Sequence, residues 1–150
     1  MKLARAIKKA KRVFICGNGG SAANAIHIAN DLISCGVKAQ ALTGDVATLT
    51  AIANDYSYIS IFSRQLETLG CADDLLVALS GSGRSPNILQ AIQKANDIGM
   101  DTWAIVGDFN DDIPAIHLAK HHTKWGRDMQ EAEEKQLYLG HKVMKWLKSS

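Results

Sequence analysis

Two hydrophobic regimes alternate along the chain. Short unbroken apolar runs are followed by longer stretches in which apolar residues recur every three or four positions. Residues 12–16 (RVFIC) form the first run and stop at Gly17, which predicts a buried strand. Residues 21–35 carry Ala, Ile and Leu at helical spacing, with Gly36 as the stop. Further strands are predicted at 37–42, 74–79 and 101–106, with a short fifth at 115–118. Helices are predicted at 47–53, 59–69, 85–98 and 127–147, the first two split around Asn54-Asp55. Strands separated by amphipathic helices imply βαβ units and right-handed crossovers. The expected fold is α/β: a three-layer sandwich around a five-stranded parallel sheet, doubly wound in the flavodoxin-like way. Ligands of such sheets bind at the carboxyl ends of the strands, so the residues after the first and third strands carry the information.

Composition narrows the function classes. The chain has 150 residues, which fits one domain over 1–150. Seventeen Lys and Arg against 15 Asp and Glu leave a net charge of +2, too balanced for nucleic-acid binding by bulk charge. No apolar run approaches the ~20 residues of a membrane span. Basic residues recur up to Arg12, so the amino terminus has no hydrophobic signal core. The expected location is the cytoplasm. Three cysteines at irregular spacing, Cys16, Cys35 and Cys71, suit buried reduced thiols better than a disulfide framework.

Two loops carry the phosphate chemistry. After the first strand, Gly17-Asn18-Gly19-Gly20-Ser21 places three glycines in four residues immediately before a helix. Such a backbone can approach a ligand closely, and the helix offers free N–H groups and the positive end of its dipole. The string is neither a dinucleotide fingerprint nor a P-loop, because no Lys follows; a simple helix cap at Ser21 remains an alternative. After the third strand comes Ser80-Gly81-Ser82-Gly83-Arg84-Ser85-Pro86-Asn87. Ser85 suits an N-cap and Pro86 the first helical position. That leaves the Ser80 and Ser82 hydroxyls for a phosphate monoester, with Arg84 to add charge.

A strand, then G-N-G-G-S, then a later strand ending S-x-S-x-x-S before a helix resembles the sugar isomerase (SIS) fold. Within it the chain is most similar to the phosphoheptose isomerases, which interconvert sedoheptulose 7-phosphate and a heptose 7-phosphate for surface polysaccharides such as lipopolysaccharide. Their pattern G-N-G-G-S-x-x-x-A-x-H-x-A-x-[DE]-L is matched by Gly17 to Ser21, Ala25, His27, Ala29 and Asp31-Leu32. Ala53-Asn54-Asp55-Tyr56 and Ile61-Phe62-Ser63-Arg64 also resemble theirs. The resemblance implies that Ser80, Gly81, Ser82 and Ser85 hold the phosphate. It implies that Asn18, Gly19, Gly20, Ser21, Asn54 and Asp55 line the sugar.

His27 and Asp31, four apart, share one helical face, so they can chelate a metal or form a surface ion pair. The resemblance favours zinc, because the family's ligands at these positions are a His and a Glu; here Asp31 is one methylene shorter. On the last helix, Glu133 to His141 aligns with the family's second ligand pair, Glu133 where Gln is common and His141 on the final imidazole. A competing alignment through Gln130-Glu131-Ala132 would put Tyr138 at a family His. The resemblance thus implies a zinc site of His27, Asp31, Glu133 and His141, with Glu133 also near the sugar. Asp31 and His141 would share the base and acid roles of aldose–ketose isomerisation through an enediol.

Elsewhere His117 reads as core, and His121-His122 as a solvated loop. The family implies a homo-oligomer, tetramer or dimer, and a long helix before the first strand, where only residues 1–11 stand here. The rival reading is a non-catalytic SIS protein that binds a phosphosugar or a protein partner. Replication-initiator-associating proteins of this fold resemble Cys16 to Gly19, Ser21 to Ala25 and Leu49 to Asp55. A scaffold has no need of His141. A phosphosugar-sensing regulator would carry a DNA-binding domain, which is not seen here.

Overall fold

A computed structural model describes residues 1–150. The apolar runs form strands β1 (Val13–Cys16), β2 (Ala39–Ala41), β3 (Leu75–Ser80) and β4 (Asp101–Val106). A fifth strand, β5 (His121–Lys124), completes one parallel sheet in the order β2-β1-β3-β4-β5. The helices are α1 (Lys2–Lys9), α2 (Gly20–Ser34), α3 (Val46–Asp55), α4 (Ser63–Leu69), α5 (Pro86–Ile98), α6 (Pro114–Leu118) and α7 (Met129–Lys148), with a 3₁₀ turn at Tyr58–Ser60. No helix is long and apolar enough to cross a membrane.

Period-two alternation along the strands builds two cores. Val13 and Ile15 of β1 face α1, α2 and α7, together with Leu75, Val77 and Leu79 of β3. Phe14 and Cys16 face the opposite layer, where Leu66, Ile88, Ile92 and Ala115 of α4, α5 and α6 pack. Both faces are therefore apolar, as a parallel sheet requires. Because α2 and α5 leave neighbouring strands on opposite faces, the strand order reverses between β1 and β3. That switch point opens a crevice at the carboxyl ends of these strands.

Several elements differ from expectation. The fifth strand is His121–Lys124, and 115–118 is helical. Pro114 starts that turn and only Ala115 is buried in it, so a short apolar run became one amphipathic turn. β5 is a sheet edge with no buried residue, so it lacks the apolar signature of a parallel strand. His117 lies exposed on α6 rather than in the core. Asn54 and Asp55 end α3 instead of breaking it. Residues 2–9 are helical, with Leu3, Ala4 and Ile7 buried. Of the thiols only Cys16 is buried; Cys35 is half-buried and Cys71 exposed.

Candidate functional site

The glycine-rich loop after β1 turns into α2 through Gly19, whose φ of +57° is the left-handed conformation that a side chain disfavours. Gly19, not Ser21, is therefore the N-cap. Ser21 sits inside the first turn, 4% exposed. A Cβ on Gly20 would meet the Glu133 carboxylate, which lies directly over it from α7.

Across the switch point, the β3–α5 loop is braced by its own hydroxyls. Ser80 Oγ accepts from Gly83 N at 3.0 Å, and Ser82 Oγ from Arg84 N at 3.2 Å. Ser85 occupies the N-cap of α5 but makes no capping bond, so its hydroxyl is free for a ligand. The Met129 sulfur packs where a Cβ on Gly81 would stand. Arg84 does not add charge here: its Nε donates to the Asp112 carbonyl at 2.8 Å, on the exposed side of the loop.

These two loops enclose a cavity of about 130 Å³, lined by Asn18, Ser21, Ser80, Gly81, Ser82, Ser85 and Glu133, with Leu79 and Met129. The lining contains hydroxyls, amide groups and one carboxylate, but no cation. An anion here depends on the converging amino termini of α2 and α5. The groove of about 420 Å³ under α1 lies away from this end of the sheet, whereas an open groove of about 400 Å³ between α2 and α7, bordered by Gly20, Asn24 and Glu133, lies beside the cavity. Asn54 and Asp55 do not line the cavity; they are exposed, and Asn54 Nδ2 donates to Asp55 Oδ1 at 3.0 Å.

Further along α2, His27 and Asp31 meet His141 of α7. The two imidazole Nε2 atoms are 3.1 Å apart. Asp31 Oδ2 is 3.5 Å from His27 Nε2 and 3.6 Å from His141 Nε2. A divalent ion with bonds of about 2.1 Å in tetrahedral coordination sets its ligand atoms about 3.4 Å apart, so the three separations suit one ion. Asp31 Oδ2 is also buried without a hydrogen-bond partner, a costly state that a metal would relieve. The group could hold a metal ion. Glu133 is outside it, over Gly20 two turns away on α7.

Helix packing brings these residues together. α2 and α7 run parallel, with Gly20 against Glu133 and Ile28 against Gly140. Asn24 ties them by donating to the Glu133 carbonyl at 2.9 Å and to Gln136 Oε1 at 3.1 Å. Sequence reading passed over Asn24 and Gln136, and also Tyr58 and Asn87, which hold Asn18. Tyr58 OH donates to Asn18 Oδ1 at 3.2 Å. Asn87, 2% exposed, pairs its amide with that of Asn18. A polar residue one position past Pro86, on the inward side of a helix start, was the available signal for Asn87.

The sequence profile of the SIS domain matches residues 1–107. Phosphoheptose isomerase of Helicobacter pylori (strain HPAG1) is 46% identical over 102 residues, covering 64% of this chain and 53% of that protein. The chain thus spans about half the length of the curated relatives it matches. The structure of phosphoheptose isomerase from Neisseria gonorrhoeae superposes with a TM-score of 0.88 at 32% identity, covering 99% of this chain and 82% of that one. The enzyme from Francisella tularensis superposes at 0.91 with 29% identity, over 99% of this chain and 84% of that one. With the switch-point cavity and the parallel α2–α7 pair, these likenesses show that the chain belongs to the SIS domain family, in its phosphoheptose isomerase branch.

Proposed function

We propose that this chain is an aldose–ketose isomerase of a phosphorylated sugar, with sedoheptulose 7-phosphate as substrate and D-glycero-D-manno-heptose 7-phosphate as product. One observation carries the reading. His27 and Asp31 stand six and ten residues beyond Ser21 on α2, with His141 beside them on α7, at the same helix pair whose start closes the serine-lined cavity. At 1.5 Å per residue, Ser21 and His27 are about 9 Å apart along the axis. That is the reach of a long sugar phosphate, held by its phosphate at one end and reacting at the other. The named relatives support the same activity.

The phosphate sits among the Ser80, Ser82 and Ser85 hydroxyls and the free N–H groups of α2 and α5, which anchor the remote end and orient the chain. Asp31 removes the proton from the carbon beside the carbonyl and returns it to the neighbouring carbon. His141 passes the proton between the two oxygens, so an enediol forms and collapses with no net gain of atoms. A zinc ion held by His27, Asp31 and His141 would supply Lewis-acid polarisation of those oxygens. Asp31 has two carboxylate oxygens and His141 two ring nitrogens, so each can serve a metal and a substrate with different atoms. Glu133 faces the sugar from α7 as a hydroxyl acceptor.

Metal analysis and turnover of sedoheptulose 7-phosphate test this, on the wild type and on His141→Ala. About one zinc per chain and turnover are expected, both lost in the variant. Absence of zinc together with no turnover of any ketose phosphate overturns it. A cytoplasmic homo-oligomer, dimer or tetramer, belongs to the same reading. Ile26 and Ile33 leave α2 48% and 57% exposed, apolar surface that a second copy would cover. Light scattering at micromolar concentration decides it; a monomer would sink it.

A further inference from the structure

The side chains of Asn18 and Asn87 form a closed amide pair. Asn18 Nδ2 donates to Asn87 Oδ1 at 2.8 Å, and Asn87 Nδ2 donates back to Asn18 Oδ1 at 2.8 Å. Tyr58 OH adds a third bond to Asn18 Oδ1 at 3.2 Å. The pair joins the glycine-rich loop after β1 to the first turn of α5, beside the cavity. Asn87 is 2% exposed and lines no part of the cavity, whereas Asn18 does.

An amide offers two N–H donors and one carbonyl oxygen with two lone pairs. In Asn18 both lone pairs are taken, one by Asn87 and one by Tyr58, and one N–H is spent on Asn87. What remains for a ligand is a single N–H. Without Asn87, the Asn18 side chain would keep only its bond to Tyr58 and lose its tie to α5. The loop itself has little else to hold it, since glycines stand on both sides of Asn18.

We propose that Asn87 is a positioning residue. Its amide holds the Asn18 side chain in place at the cavity and clamps the two anion-facing loops into one rigid cradle. Asn87 acts on the ligand only through Asn18. The proposal rests on the reading of the cavity as a sugar-phosphate site, but the clamp has a consequence that needs no ligand: the loop at 17–20 is ordered by a side chain from α5.

The test is a double-mutant cycle with Asn18→Ala and Asn87→Ala, read by calorimetric titration with inorganic phosphate and by KM and kcat for sedoheptulose 7-phosphate. Asn87→Asp, which keeps the shape and loses the donor, serves where Asn87→Ala fails to fold. Either Asn87 variant is expected to weaken phosphate binding and raise KM about tenfold with kcat changed less than about threefold. In the Asn87 background, Asn18→Ala should cost under about twofold more, because residues acting as one unit are not additive. Equal costs of Asn18→Ala in both backgrounds overturn the proposal, as does an unchanged KM in Asn87→Asp. Hydrogen exchange of residues 17–20 separates this from the functional reading. Exchange at least about tenfold faster in Asn87→Asp upholds the clamp even if no sugar phosphate is turned over, and unchanged exchange overturns it even if the enzyme is active.

Discussion

Gly140 of α7 meets Ile28 of α2 so closely that a Cβ on Gly140 would stand 2.7 Å from Ile28 Cγ1. This contact sets the spacing of the two helices, and the spacing lets His27 and His141 reach within 3.1 Å of each other. Gly140→Ala is expected to separate the helices. The overpacking costs about 1–3 kcal/mol, and better helix propensity returns about 1 kcal/mol. Net destabilisation should be modest, while metal affinity falls by at least tenfold, roughly the effect of a lost supporting contact. A melting curve and a competition titration with a zinc chelator check the two effects. Unchanged zinc affinity would show that the helix spacing does not control the site.

Glu133 carries the only charge in the lining of the serine cavity and lies over the start of α2. A phosphate entering that cavity meets a like charge. Glu133→Gln keeps the shape and removes the repulsion, which at a partly wet site is on the order of 1–2 kcal/mol. Inorganic phosphate should bind about tenfold more tightly, and the difference should shrink in high salt. Calorimetry at two ionic strengths reads it; weaker binding in the variant would mean that the carboxylate helps to build the site.

Asp45 caps α3, accepting from Thr48 N at 3.2 Å and Thr48 Oγ1 at 2.7 Å. These bonds, the side-chain one first, hold its carboxyl below the ordinary value of 3.8. A depressed folded-state value means that the stabilisation is complete above the unfolded-state value and fades as pH drops through the lower one. Asp45→Asn should therefore lose stability relative to wild type at pH 6, and the gap should close towards pH 2. Denaturant melts across that window measure it. A gap that stays constant with pH would remove the carboxylate's charge from the explanation.

Cys16 is buried in the sheet, and burial pushes its thiol up to about 12, so almost no thiolate exists at neutral pH. Cys71 is exposed. A thiol reagent at pH 8 should label Cys71 quickly, Cys35 slowly, and Cys16 only on unfolding. Mass spectrometry of timed samples gives the order; early labelling of Cys16 would mean that β1 opens in the native state.

How much of this was readable in the chain follows from where each signal lives. β1, β3, β4, α2, α5 and α7 were legible because apolar periodicity records burial on a sheet or a helix face, and those elements are buried. The serine and glycine loops were legible because hydroxyls and small residues at a strand end have few other uses. β5 was not legible: an edge strand of His, His, Thr and Lys buries nothing, and it is held by the β4 backbone and by contacts such as Trp103 Nε1 donating to Thr123 Oγ1 at 3.0 Å. His27 and Asp31 were paired by helical spacing alone, a local relation. That His141, 114 positions on from His27, completes their group was implied only by family likeness. The contact itself depends on the Gly140–Ile28 approach, and no local pattern encodes the distance between two helices. Likewise the family likeness implied Glu133 among the metal ligands, whereas in the structure its carboxylate lies over Gly20. The helix face on which a side chain lies is a property of the sequence. What that face meets is decided by packing, because contacts between distant residues exist only once the two cores have formed on the sheet.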